Sequence, residues 1–127
     1  MKKGMFFIVC AFLSACGIAG YEAPAYNRIS AEDAFRMMGE ADDYLLLDVR
    51  TEAEYAELRI EGAVLVPVDE IGDWADSGAV LKKRLILVYC RSGRRSATAA
   101  KALVRMGFTN VYDFGGIDKW PYETVGG

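Results

Sequence analysis

A β-rich apolar run, Leu85-Ile-Leu-Val-Tyr89, leads into Cys90, and Arg91-Ser92-Gly93-Arg94-Arg95 separates that cysteine from an alanine-rich helical run, Ser96 to Met106. The pattern predicts a thiol at the C-terminal end of a buried strand, facing the N-terminus of the next helix. Unpaired helical amides, the positive end of the helix dipole and nearby guanidinium groups favour thiolate over thiol at such a place. A sulfur set up as an anion is a nucleophile or a carrier of a second sulfur. Gly93 lets the loop turn so that its amides converge on the sulfur. Arg91 and Arg95 would hold the thiolate or draw in an anionic donor, and Arg94 points to solvent. The plainer reading of the arginines is as ion-pair partners for some of the 18 acids. Ser96 reads as the helix N-cap rather than as a catalyst.

What the chain lacks narrows the chemistry. It has no histidine, so a Cys–His dyad is excluded, and neither a Cys/His cluster for zinc nor a glycine-rich phosphate loop is present. Cys90 must therefore be activated by electrostatics rather than by an imidazole base. Reactions that consume a thiolate and need little proton transfer suit that constraint, transfer of a sulfane sulfur among them. Such chemistry requires no cofactor.

The elements that must position the cysteine alternate along the chain. Ser30 caps a helix beginning with acids, and Tyr44 to Val49 is a continuous run of strand length with Asp48 near its end. Thr51 caps a short acidic helix over 52–58, Ala63 to Val66 is a strand closed by Pro67, and residues 69–76 make one or two helical turns. Leu85 to Tyr89 is the strand into the cysteine, Gly107 stops the long helix, and Asn110 to Asp113 is a last strand before a terminal turn at Gly115 to Trp120. Alternation of this kind predicts an α/β fold with a central, mostly parallel sheet and helices on both faces, ligands sitting beyond the carboxyl ends of the strands. Cys90 and Asp48 both lie at such ends. Asp48 and Arg50 read as a structural ion pair supporting the loop. Trp74, Tyr89 and Trp120 read as core or pocket wall.

Over about residues 27–122 the chain resembles a single-domain rhodanese, a sulfurtransferase. The resemblance rests on Leu47-Asp48-Val49-Arg50 with Glu54-Tyr55, on Ile60-Glu61-Gly62-Ala63 leading to Pro67, on the Cys90–Arg95 loop and on Gly115-Gly116-Ile117-x-x-Trp120. It implies that Cys90 carries a persulfide, with the backbone amides of residues 91–95 around it. It also implies sulfur transfer from thiosulfate or a persulfide to cyanide or a thiol. The alternative is a non-turnover persulfide carrier or partner-docking module. The related cell-cycle phosphatases place an arginine after a cysteine and five further residues; here that position is Ser96, and the shorter ring suits a sulfur atom better than a phosphoryl group. Where many members have histidine before the Ile-x-Gly-Ala segment, this chain has Arg59, so a local hydrogen bond must be remade.

The front of the chain is of a different kind. Lys2 and Lys3 precede the uncharged run Met5 to Leu13, the pattern of a secretory signal peptide over residues 1–15. Leu13-Ser14-Ala15-Cys16 resembles the bacterial lipobox, which implies lipid on Cys16, a tether over 16–26 and a lipid-anchored place in the cell envelope. An uncleaved anchor is the weaker alternative, because the second half of the run is Ala, Gly and Ser. Loss of the leader would leave thirteen basic residues against eighteen acids, a net charge of −5. An acidic body argues against nucleic acid as a partner. The partners expected are a small sulfur-donor anion, a thiol or cyanide acceptor or a protein acceptor, and the membrane through its lipid; a monomer is the default. Cys10 leaves with the leader and Cys16 is taken by lipid, so Cys90 would be the one thiol of the mature protein.

Overall fold

The computed structural model describes residues 25–127; the expected leader, Cys16 and most of the tether lie outside the described residues. In chain order the elements are β1 (Asn27–Arg28), α1 (Ala31–Glu40), β2 (Leu45–Asp48), α2 (Glu52–Glu57), β3 (Val64–Leu65), a 3₁₀ turn (Val68–Glu70) running into α3 (Ile71–Asp76), β4 (Ile86–Cys90), α4 (Arg94–Arg105), β5 (Val111–Gly116) and a second 3₁₀ turn (Ile117–Lys119). The five strands form one sheet in the order β1-β5-β4-β2-β3, and every pairing is parallel. The expected α/β architecture is the observed one.

Side-chain alternation along β4 divides the core. Ile86, Val88 and Cys90 face a cluster with Ile71 and Ala75 of α3 and Ala99, Ala100 and Leu103 of α4. Leu87 and Tyr89 face the opposite cluster, with Ala34 of α1, Ile60, Ala63 and Phe114. All five β4 residues are buried, which is why this segment reads as an unbroken apolar run rather than an alternating one. Cys90 is thereby committed to the face that α4 covers.

The adjacent strands β2 and β4 send their chains to opposite faces: α2 contributes Tyr55 to one cluster, and α4 packs in the other. Their carboxyl ends therefore flank the point where the strand order reverses, the place where open parallel sheets bind ligands. Asp48 and Cys90 stand on its two sides, Asp48 being in register with Tyr89.

Local signals account for the boundaries. Ser30 accepts a hydrogen bond from the Asp33 amide at 3.0 Å and starts α1. Thr51 and Glu54 form a complete capping box at the start of α2. At the end of α4, the amides of Gly107 and Phe108 return to the carbonyls of Val104 and Leu103, closing the helix where a stop was expected. Besides the early start of α4 described below, two elements depart from expectation. Strand β5 runs on to Gly116 instead of ending at Asp113, because Asp113 Oδ1 accepts from the Gly115 amide at 2.8 Å and a bulge shifts the register so that Cys90 pairs with Gly116. Strand β1 occupies Asn27–Arg28, and these two polar, exposed edge residues carry no apolar pattern by which to find them.

Past Trp120 the chain doubles back: Arg59 and Val125 exchange backbone hydrogen bonds of 2.7 and 2.8 Å. Arg59, standing where many relatives would have histidine, also donates from Nη1 to the Tyr55 carbonyl at 3.1 Å and lies over the Tyr55 ring. That is the remade local bond.

Tyr89 ties the sheet to the segment after α2. Its hydroxyl donates to Asp48 Oδ2 at 2.7 Å and accepts from the Ile60 amide at 3.1 Å. Removing the hydroxyl leaves a buried amide without a partner, at a cost of about 1–3 kcal/mol. We therefore expect Tyr89→Phe to lower the urea midpoint at constant m and to lower Tm by about 4–8 °C per kcal/mol. An unchanged midpoint would show that the hydroxyl network contributes nothing.

Candidate active site

The loop between β4 and α4 is short because α4 starts early. Gly93 sits at φ +110° and acts as N-cap without any side-chain bond. Only glycine takes that conformation readily, and it turns the chain into the helix at Arg94. The Gly93 amide then points back and donates to Cys90 Sγ at 3.0 Å. The sulfur therefore lies against the first turn of a twelve-residue helix, at the positive end of its dipole. Cys90 is 1% exposed.

This early start corrects the reading of Ser96. It is not the cap but the third residue of α4, fully buried. Its hydroxyl lies 3.6 Å from Cys90 Sγ and donates to the carbonyls of Gly93 at 3.2 Å or Gly115 at 3.4 Å. A rotating hydroxyl with these alternatives can accept from a thiol or donate to a thiolate. Serine at a helix start looks like a cap from sequence; here the left-handed glycine had already performed the turn.

The other wall of the loop comes from β5. A Cβ on Gly116 would fall on the Arg91 carbonyl, so this position admits no side chain. The Asp118 amide donates to the same carbonyl at 3.2 Å. A cleft of about 630 Å³ opens alongside, lined in part by Ser92, Gly93, Gly116, Arg28 and Lys119.

The loop arginines separate by partner. Arg95 makes a forked pair with Glu54, with Nη1 to Oε1 at 2.9 Å and Nη2 to Oε2 at 3.1 Å, and Arg91 Nη1 approaches Oε2 at 3.4 Å. Arg94 is exposed. The guanidinium hydrogen bonds of Arg91 and Arg95 thus go to a carboxylate, not to the sulfur. Hydrogen bonds to Glu54, with a smaller contribution from the charge of Cys90, raise the pKa of Arg95 above its ordinary value despite partial burial. Conversely, hydrogen bonding from Arg95, aided by the Thr51 amide and hydroxyl, holds the Glu54 carboxyl far below the usual carboxylate range in spite of its partial burial.

Glu54 was not singled out as a site residue from the sequence. The spacing Thr51-x-x-Glu54 announces a capping box, and the structure confirms one: the Thr51 amide donates to Oε1 at 2.9 Å. Nothing local shows that the same carboxylate reaches across 37 to 41 positions to the loop.

Asp48 and Arg50 are brought together as expected. Arg50 donates from Nε to Asp48 Oδ1 at 2.9 Å, from Nη2 to Oδ2 at 2.7 Å and from its backbone amide to Oδ1 at 3.0 Å. Nη2 also donates to the Leu58 carbonyl at 2.6 Å. Burial works against the charge of Arg50, yet its bonds to Asp48 leave its pKa raised. Burial, together with the Asp48 carboxylate, pushes the Tyr89 phenol well above its ordinary range. Neither Asp48 nor Arg50 contacts the sulfur; they build the floor under it.

The comparisons with known proteins agree with this geometry. The family model described as "Rhodanese-like domain" matches residues 30–122. A curated relative named "Sulfurtransferase" from Allochromatium vinosum is 35% identical over 95 residues, covering 74% of this chain and 87% of the relative. "Thiosulfate sulfurtransferase PspE" of Escherichia coli is 32% identical over 71 residues, 56% of this chain and 68% of that protein. Among solved structures, a rhodanese-like domain protein from Staphylococcus aureus superposes with a TM-score of 0.67 at 30% identity, over 76% of this chain and 93% of that one.

Because its folded pKa is depressed, ionised Glu54 contributes stability in full above its unfolded pKa, and that contribution fades as pH falls toward the folded value. We expect wild type to exceed Glu54→Gln in urea midpoint at neutral pH, with the gap narrowing between about pH 5 and 2. A gap independent of pH would contradict the ion pair.

Proposed function

The chain belongs to the rhodanese-like family of sulfurtransferases, and we propose that it moves a sulfane sulfur from thiosulfate or a persulfide to cyanide or a thiol through a persulfide on Cys90. The observation that carries this reading is the seat of the sulfur: one buried thiol, against the first turn of α4, with the Gly93 amide donating to it and no imidazole anywhere in the chain. A nucleophile in that setting needs no general base, only electrostatic stabilisation by fixed dipoles.

With thiosulfate, the Cys90 thiolate attacks the outer sulfur, a new S–S bond forms to Cys90, the donor S–S bond breaks, and sulfite leaves with the electron pair. The acceptor then reverses the sense of transfer. Cyanide attacks the outer sulfur of the persulfide, thiocyanate departs and the Cys90 thiolate returns. No net charge or proton is left over in either half. The hydroxyl of Ser96 is suited to donate to Cys90 Sγ when that sulfur carries the charge.

We also propose that the domain works from a lipid anchor on Cys16 in the cell envelope, supported by the Leu13-Ser14-Ala15-Cys16 sequence behind its apolar run. A tethered monomer facing small anionic or thiol substrates fits an acidic body with a local cluster of arginines.

Two experiments test these statements. Peptide mass spectrometry of the full chain is expected to show one added sulfur on the Cys90 peptide after thiosulfate or a persulfide, removed by cyanide and absent in Cys90→Ser. A reduced, alkylatable Cys90 that takes no sulfur from any donor would overturn the activity. An alkyne-bearing fatty acid fed to a bacterial host is expected to label wild type but not Cys16→Ser; equal labelling of both would overturn the anchor.

A further inference from the structure

Three arginines in a five-residue loop suggest a site made for multiply charged anions. The hydrogen bonding says otherwise. Glu54 lies between Arg95 and Arg91, 18% exposed, with Arg95 forked onto it and Arg91 within ion-pair distance. It is not a side chain that drifts there. The Thr51 amide and hydroxyl bind its Oε1 at 2.9 and 3.1 Å, so the capping box fixes it at the start of α2 while the loop cations close on it. An arriving anion meets guanidinium donors already occupied by a carboxylate and must also approach that carboxylate's own charge.

Resting on the sulfur-transfer reading above, we infer that Glu54 is a specificity-determining residue, selecting against multiply charged sulfur donors in favour of persulfides of low charge. Glu54 acts by cancelling one of the two positive charges that Arg91 and Arg95 bring to the Cys90 loop. For a neutral persulfide R–S–SH, the Cys90 thiolate attacks the terminal sulfur. The new bond forms to Cys90, the S–S bond between RS and that sulfur breaks, the proton stays on the transferred sulfur and RS⁻ leaves with the electron pair. That step brings no second anion to the site before bond breaking, whereas thiosulfate brings two negative charges. Within a few ångströms of partly buried charges, each donor charge is worth a several-fold effect on association.

The test is a donor series graded by charge, applied to the full chain at a pH acidic enough to keep a persulfide protonated: thiosulfate as dianion, an alkanethiosulfonate as monoanion and 2-hydroxyethyl persulfide as neutral donor. Glu54→Gln keeps the cap, since glutamine serves at the same position of a capping box. It is expected to raise kcat/KM on the order of tenfold for thiosulfate and threefold for the thiosulfonate, through KM, and to leave the neutral donor unchanged. The effect should shrink with added salt. Arg91→Gln, at a side chain 67% exposed, is expected to move the series the opposite way. A second readout needs no sulfur transfer: the ratio of Cys90 alkylation rates by iodoacetate and iodoacetamide, read on the Cys90 peptide, should rise about threefold in Glu54→Gln.

Equal changes for all donors, or an unchanged alkylation ratio, would overturn the inference and leave Glu54 as a cap. A raised ratio with no sulfur loaded from any donor would overturn sulfur transfer and not the role of Glu54. If Glu54→Gln lost all reactivity through misfolding, the Arg91→Gln series would decide alone.

Discussion

One buried carboxylate holds the molecule in register where it matters. Asp48 is fully excluded from solvent, yet its oxygens receive the Arg50 guanidinium, the Arg50 amide and the Tyr89 hydroxyl. A charge in that position without its partners would cost several kcal/mol, so these groups are obliged to stay together. The partners come from the turn just after β2, from β4 and, through Leu58 and Ile60, from the segment that follows α2. Tyr89 immediately precedes Cys90, and successive strand residues face opposite ways. Fixing the tyrosine on one face therefore fixes the sulfur on the other.

Above that floor the site is a matter of dipoles and of counted charges. The amide of Gly93 and the axis of α4 provide fixed positive potential that needs no proton and no metal. The arginines add side-chain potential, and Glu54 trims it. The two contributions differ in reach: the amide acts at one sulfur atom, whereas the Arg91–Glu54–Arg95 cluster shapes the approach to it. An acidic protein body, with a formal net charge of −3, makes the local excess of cations count for more.

Much of this was legible in the residues because the signals are local. The apolar run into Cys90, the Ser30 and Thr51 caps and the Gly107 stop each depend on neighbours within one turn, and each is found where the sequence puts it. The placement of Asp48 and Cys90 at the carboxyl ends of β2 and β4 followed from alternation of strand and helix. Other features were not legible, for identifiable reasons. Strand β1 is two polar residues whose only strand property is pairing with Tyr112 and Asp113, some 85 positions away. Ser96 carries a cap's identity, but the cap was supplied by the backbone of Gly93. Glu54 announces its local bond with Thr51 and conceals its distant one with Arg95. For β1 and Glu54 the deciding contact joins positions that only the folded sheet brings together.

The wall that Gly116 and Asp118 raise against the Arg91 carbonyl has a consequence for how the protein is made. Cys90, its loop and the whole of α4 are synthesised before that wall exists, and Val125, which pairs with Arg59, comes later still. On the ribosome, then, the thiol emerges ahead of the residues that complete its enclosure. The nucleophile acquires its final seat only after positions 116–118 have been made, so the nascent chain carries a cysteine whose cradle is still open on one side.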